Sequence, residues 1–232
     1  MKNPNIKTID FPEDRYYKRI TAKNQITLHH TVSGRGASGD INWWAQNPQR
    51  IATSFVIDWT GKIIQLFPST YWAHHLGVSS SVFSEFDLPS HNTWLNQQAI
   101  GIELDAWGGL VRSETDLKWY PAKYENGKYI PNTGMDYLTE DRIVYYPNGY
   151  RGFFAFERYT DAQIESLKNL LLYLTEHHGI PRDYNSDMWF ISKDALNGKP
   201  GIWSHTSYRH DKSDAHPQYE LKEMLMSLNY TK

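Results

Sequence analysis

The stretch Gln25-Ile26-Thr27-Leu28-His29-His30-Thr31-Val32 decides how the rest of the chain is read. It alternates as a β-strand does, with Ile26, Leu28, His30 and Val32 on one face and Thr27, His29 and Thr31 on the other. The two adjacent histidines therefore point to opposite sides. His30 shares the apolar face and reads as a core histidine hydrogen-bonded to a neighbour. His29 lies on the polar face, where an imidazole held by a strand can serve as a metal ligand or a base.

Its partners are sought in a second stretch, Ser204-His205-Thr206-Ser207-Tyr208-Arg209-His210-Asp211-Lys212-Ser213-Asp214-Ala215-His216-Pro217. Polar residues fall on every face here, so neither a helix nor a strand pattern fits. Such a density of charged and metal-capable groups is costly to bury unless they coordinate or pair with one another. The chain has no cysteine, so no disulfide forms and any metal must be held by His, Asp or Glu, which points to zinc or a harder ion. A catalytic zinc takes three protein ligands and leaves one position open. His29, His205 and Asp214 would meet that need. Ten histidines allow many other triples, and His210 and His216 stand as alternative ligands at this point.

Outward from these stretches, residues 1–23 form a polar lead-in with aromatic anchors at Phe11, Tyr16 and Tyr17. Gly34, Gly36 and Gly39 make a loop, after which Asp40 is expected to cap a short helix through Trp43 and Trp44, both read as packing residues. Residues 52–59 and 62–67 read as two strands joined at Trp59-Thr60-Gly61. His74 and His75 follow, and Ser79 to Asn96 reads as an irregular connection. Gln98 to Asp105 is a strand with apolar Ile100, Ile102 and Leu104. Its Glu103 is either an edge residue facing water or a site residue. Residues 106–158 read as turns and short strands in an insertion wrapped on the domain. Thr160 to His178 is the clearest helix, with a Thr160/Gln163 capping box and an Ile164, Leu167, Leu170, Leu171, Leu174 stripe. Its His177 and His178 sit where cations favour a helix C-terminus. A short helix is expected from Pro217 to Leu228.

Composition narrows the function classes. A length of 232 residues suits one domain with a substantial core. A net charge of −2 implies no basic surface for nucleic acid. No run approaches the roughly 20 apolar residues of a membrane span, and the N-terminus shows no signal peptide. No membrane or nucleic-acid partner is expected, and a monomer is. Nine Trp and sixteen Tyr suit stacking on sugars or flat peptides as well as core packing.

The chain resembles the zinc-dependent N-acetylmuramoyl-L-alanine amidases of the type-2 family, whose fold is shared with peptidoglycan recognition proteins. The matching pieces run in order over nearly the whole chain. They are Ile26-Thr27-Leu28-His29-His30-Thr31, Ser54-Phe55-Val56-Ile57-Asp58, Gly61-Lys62-Ile63-Ile64-Gln65-Leu66 and Trp72-Ala73-His74-His75-Leu76-Gly77. Ala99-Ile100-Gly101-Ile102-Glu103-Leu104, Tyr159-Thr160-Asp161-Ala162-Gln163 and His205…Lys212-Ser213-Asp214 complete the series. The resemblance implies a single α/β domain over residues 1–232, with a central mixed β-sheet flanked by helices and zinc at the open end of a cleft.

Carried over residue by residue, it makes His29, His205 and Asp214 the ligands of Zn2+. Glu103 becomes the general base and acid, and Lys212 the support for the oxyanion. His74, His75 and Trp72 match the cleft wall and become substrate contacts. The scissile bond implied is the amide between N-acetylmuramic acid and L-alanine of the stem peptide, so the partner is peptidoglycan or a muropeptide. The chain departs from the family at Ser204, where glycine is frequent, and at Asp214-Ala215-His216-Pro217, where Asp-Pro-Gly is. Thr53 or Ser54 stands where one phage branch has an assisting tyrosine, which puts more weight on Glu103. Arg209 and Asp211 are read as a pair that holds the loop. With no signal peptide, the expected setting is a phage- or prophage-type endolysin, cytoplasmic as made and acting on the wall after release. The alternatives are a cytoplasmic wall-recycling amidase and a recognition module that binds without cutting.

Overall fold

The computed structural model describes residues 4–230; the lead-in residues 1–3 and the final two lie outside the described residues. Strands β1 (Ile6–Thr8), β2 (Gln25–His30), β3 (Phe55–Ile57), β4 (Ile63–Gln65) and β5 (Ala99–Leu104) come first in the chain. A second group, β6 (Gly109–Arg112), β7 (Trp119–Glu125), β8 (Lys128–Pro131), β9 (Ile143–Tyr150) and β10 (Phe153–Glu157), follows, and β11 (Gly201–Ser204) comes last. The helices are α1 (Ser38–Gln46), α2 (Ser80–Ser84), α3 (Asn92–Gln98), α4 (Asp161–His178), α5 (Lys193–Leu196) and α6 (Tyr219–Ser227).

The central sheet has the order β1-β4-β3-β5-β2-β11. It is mixed: β2 runs parallel to β5 and β11, and β3 parallel to β5, while β3 and β4 form the antiparallel hairpin. Every residue of β2 and β5 is buried, as expected of parallel strands covered on both faces. The polar face of β2 is therefore not a water face: His75 packs against His29, and Tyr208 lies against Thr27. Ile26, Leu28, Ile100 and Ile102 pack with Ile164, Leu167, Leu170 and Leu171 of α4 in the main core. Val56, Ile64, Ala52 and Trp44 of α1 form a separate cluster with Phe11 and Phe67.

Helix α4 begins and ends where its sequence dictates. The Thr160 hydroxyl accepts the Gln163 amide while the Gln163 side chain accepts the Thr160 amide, and Gly179 closes the helix at φ 69°. Removing such a cap costs about 1 kcal/mol. The hairpin turn ends at Gly61 with φ +84°, a conformation side chains other than glycine rarely adopt.

Several local expectations need correction. Asp40 lies in the first turn of α1 and caps nothing; the cap position is Ala37, and Asp40 instead accepts the Ser33 hydroxyl at 2.7 Å. Trp43 is 57% exposed rather than packed. The stretch 79–96 holds α2 and most of α3, which are too short and polar to show periodicity. The short strands expected among the turns of residues 106–158 pair into a five-stranded antiparallel sheet, β8-β7-β6-β10-β9. His178 is not a helix-end cation: its Nε2 pairs with Ser69 Oγ at 2.9 Å, and burial pushes its pKa down to about 4. Among the described residues no helix is long and apolar enough to cross a membrane.

Candidate metal centre and catalytic cleft

Register alone builds the first row of the site. His29 stands opposite Glu103 across the β2–β5 pair, and Ser204 stands opposite Leu28 across the β2–β11 pair. His205, the next residue, is therefore brought level with His29. Neighbouring strands lie about 4.8 Å apart, so Glu103, His29 and His205 form a row at the carboxyl ends of three parallel strands. Open α/β sheets bind ligands at that end.

The loop after β11 then returns Asp214 to the row. His29 Nδ1 lies 3.1 Å from His205 Nδ1 and 3.2 Å from Asp214 Oδ2, and His205 Nδ1 lies 2.8 Å from the same oxygen. Tetrahedral ligands at about 2.0 Å from a metal stand about 3.3 Å from one another, close to these three separations. All three residues are buried.

The hydrogen bonds behind these three residues also fit a cation. His205 Nε2 lies 2.9 Å from the Leu76 carbonyl, which can only accept, so Nε2 carries the proton. The other ring nitrogen, Nδ1, faces Asp214 Oδ2, an acceptor. That contact is favourable when a cation, a metal ion or a proton, lies between the two atoms. At His29, burial and the neighbouring His205 push the pKa down to about 4. Burial alone would raise the Asp214 carboxyl, but the His205 and His29 rings outweigh it and hold it well below the usual range. Two imidazoles and a carboxylate are a zinc-type donor set.

The cleft in front has a volume of about 320 Å³. Glu103, Lys212, His75, Thr53 and, from the α1 wall, Asp40 and Trp43 line it with His29, His205 and Asp214. Burial, then Asp214 and Asp40, pushes the Glu103 carboxyl well above its ordinary value, with Lys212 opposing. Its Oε2 is buried and has no hydrogen-bond partner, an acceptor left over for something the cleft receives.

The structure brings together His29, His205, Asp214, Glu103, Lys212 and His75. It does not bring Trp72 or His74 to the cleft. Trp72 is buried and stacks on Tyr17 at 3.9 Å, and His74 Nε2 lies 3.3 Å from the Tyr17 hydroxyl. His210 is exposed and pairs with Glu85 at 2.7 Å. His216 is fully buried, accepting from Tyr146 Oη at 2.7 Å and donating to the Glu157 carbonyl at 3.0 Å. His30 Nδ1 takes the Tyr159 hydroxyl at 2.9 Å, and Arg209 grips Asp211 through two bonds of 2.9 and 2.7 Å. Sequence reasoning missed Asp40 and Trp43 as cleft wall. The loop glycines before them were the only hint that α1 is set against the strand ends.

Solved structures similar along the chain include that of PlyL, 12% identical over 97% of this chain and 96% of that one, with a TM-score of 0.51. The PlyG catalytic domain is 13% identical over 97% and 94%, with a TM-score of 0.52. A selenomethionine AmpD derivative is 16% identical over 95% and 94%, at 0.50. At these identities the likeness is one of fold. No curated protein matches the sequence. The family profile described as N-acetylmuramoyl-L-alanine amidase matches residues 19–217, a span that takes in every residue of the row and its returning loop. On that match the chain belongs to the type-2 amidases, the N-acetylmuramoyl-L-alanine amidase family.

Proposed function

We propose that the protein is a zinc-dependent peptidoglycan amidase that cleaves the bond between N-acetylmuramic acid and L-alanine of the stem peptide, in the setting of a phage- or prophage-type endolysin. The convergence of His29, His205 and Asp214 beside Glu103 carries the reading. His29 and His205 would hold zinc through Nδ1 and Asp214 through a carboxylate oxygen. Zinc held there would supply Lewis acidity toward the scissile carbonyl and toward water.

Glu103 takes a proton from the attacking water and returns one to the leaving nitrogen. Its raised pKa suits the returning step, and a dication held by Asp214 would oppose that shift enough for the first step. Lys212, at the cleft edge, supports the oxyanion as the carbonyl becomes tetrahedral. The exposed Trp43 indole on the α1 wall offers an apolar surface to the substrate. Residues 106–158 are read as an insertion within one amidase domain spanning 1–232.

The test is release of free L-alanine amino termini from purified sacculi. The samples are wild type, chelated protein with and without added zinc, and Glu103→Ala. Activity lost on chelation, restored by zinc and absent in Glu103→Ala is expected. Tight sacculus binding with no release in any sample would sink the amidase reading and leave a recognition module. Cleavage of soluble muropeptides but not sacculi would replace the endolysin setting with wall recycling.

A further inference from the structure

Both imidazoles of the metal row are tied, on the side away from Asp214, to one short segment of chain. His29 Nε2 lies 3.0 Å from His75 Nδ1, and His205 Nε2 lies 2.9 Å from the carbonyl of Leu76, the next residue. That segment is itself clamped. Asn96, fully buried on α3, accepts the His75 amide at 2.8 Å and the Leu76 amide at 3.1 Å through one oxygen. Its amide nitrogen donates to the Asn92 carbonyl at 2.7 Å and to Asn92 Oδ1 at 3.1 Å, and Asn92 Oδ1 also accepts Val78 N at 2.9 Å. Asn92 and Asn96 are four residues apart and so share one helix face. Gly101 makes room: a Cβ there would sit 2.7 Å from Thr53 Cγ2 and 3.1 Å from His75 Nδ1.

We propose that His75 is a positioning residue for the metal centre, held by Asn96, and not a substrate contact. His75 and the Leu76 carbonyl together set the tautomer and ring angle of His29 and His205. The chemistry requires this assignment. A ring that ligates through Nδ1 carries its proton on Nε2, and a buried Nε2–H needs an acceptor. The Leu76 carbonyl is that acceptor for His205, and only a His75 with a bare Nδ1 provides it for His29. The proton of His75 then sits on its own Nε2, which is buried without a formed hydrogen bond. A partner behind each ligating histidine raises its basicity and fixes its plane, and loss of one typically costs 10–100-fold in metal affinity.

The inference rests on the metal reading above, and its experiment separates the two. Zinc affinity of the apo protein is measured by competition with a chromophoric chelator, and the visible spectrum of the Co2+ form is recorded. The samples are wild type, His75→Leu, His75→Asn, Asn96→Ala and the double variant His75→Leu/Asn96→Ala. His75→Leu is expected to weaken zinc binding by about 10–100-fold and to alter the Co2+ spectrum. In His75→Asn, an amide oxygen replaces the Nδ1 acceptor and recovers most of the affinity. Asn96→Ala is expected to weaken zinc binding too, with the double variant losing less than the product of the two factors, because both act through one contact. Apo melting temperatures separate folding from positioning. Wild-type zinc affinity in His75→Leu would overturn the proposal. So would equal weakening in His75→Asn and His75→Leu with matching losses of apo stability. A wild-type protein that binds no zinc would remove the metal reading and this one with it.

Discussion

Lys23 offers a measurement whose sign and size both follow from its surroundings. It is 5% exposed, and its ammonium donates to the Gln97 carbonyl at 2.7 Å and the Ala99 carbonyl at 3.4 Å. Among the described residues no carboxylate forms a salt bridge with it, and burial pushes its pKa down from 10.5 to about 7. The folded chain therefore sheds this proton at a pH where the unfolded chain keeps it. Below about 7 both states are protonated and the burial penalty is felt in full. Between the two pKa values the unfolded state binds more protons, so stability rises with pH, by at most about 1.4 kcal/mol per unit. From about pH 7 to about pH 9 the gain integrates to about 2 kcal/mol. Urea unfolding of the chelated protein across that range, wild type against Lys23→Met, isolates this group from the other titrating residues. Wild type is expected to gain on the variant by that amount as pH rises. An offset that does not change with pH would refute the assignment of a depressed pKa to Lys23.

Gly61→Ala should destabilise the fold by about 1–3 kcal/mol, because φ is +84° and the new Cβ would fall 2.6 Å from the Ala162 carbonyl; an unchanged thermal midpoint would count against the turn as described. Tyr159→Phe strips the partner from two buried groups, the His216 amide at 3.1 Å and His30 Nδ1 at 2.9 Å. About 1–3 kcal/mol per group is expected in urea unfolding, and a neutral outcome would mean that water fills the gap. Lys212→Ala should lower kcat by about 10²–10³ with KM little changed, and a loss confined to KM would make Lys212 a binding residue instead.

The division of labour between His29 and His30 was legible because a strand's period of two separates neighbours whatever covers the sheet. The α4 boundaries were legible for a similar reason: a capping box and a following glycine are local signals. The short α2 and α3 were not, since helices of five and seven residues do not complete enough turns for a stripe to emerge. The second sheet was hidden by Pro121, Pro147 and Gly149 lying within its strands, residues that ordinarily argue against one. Trp72 and His74 fit the family's segment in sequence, yet their rings turn to Tyr17. Partners across that bridge are 55 and 57 residues apart and leave no mark in a local pattern. Asn96 was invisible for the same reason. Gly101 was the available clue to His75, because a glycine inside an apolar strand marks a close approach by another group.

The placement of β11 beside β2 also bears on when the centre can exist. His29 meets His205 and Asp214 across separations of 176 and 185 residues, among the longest loop closures the chain makes. During synthesis from the N-terminus, β2, β5 and α4 are all complete before His205 or Asp214 has been made. Up to that point the chain holds a single imidazole of the three donors proposed for zinc, too few to retain a catalytic ion, and the main core still lacks Ile202, Trp203 and Leu221. On the proposed zinc reading, metal capture is therefore an event of the nearly finished polypeptide.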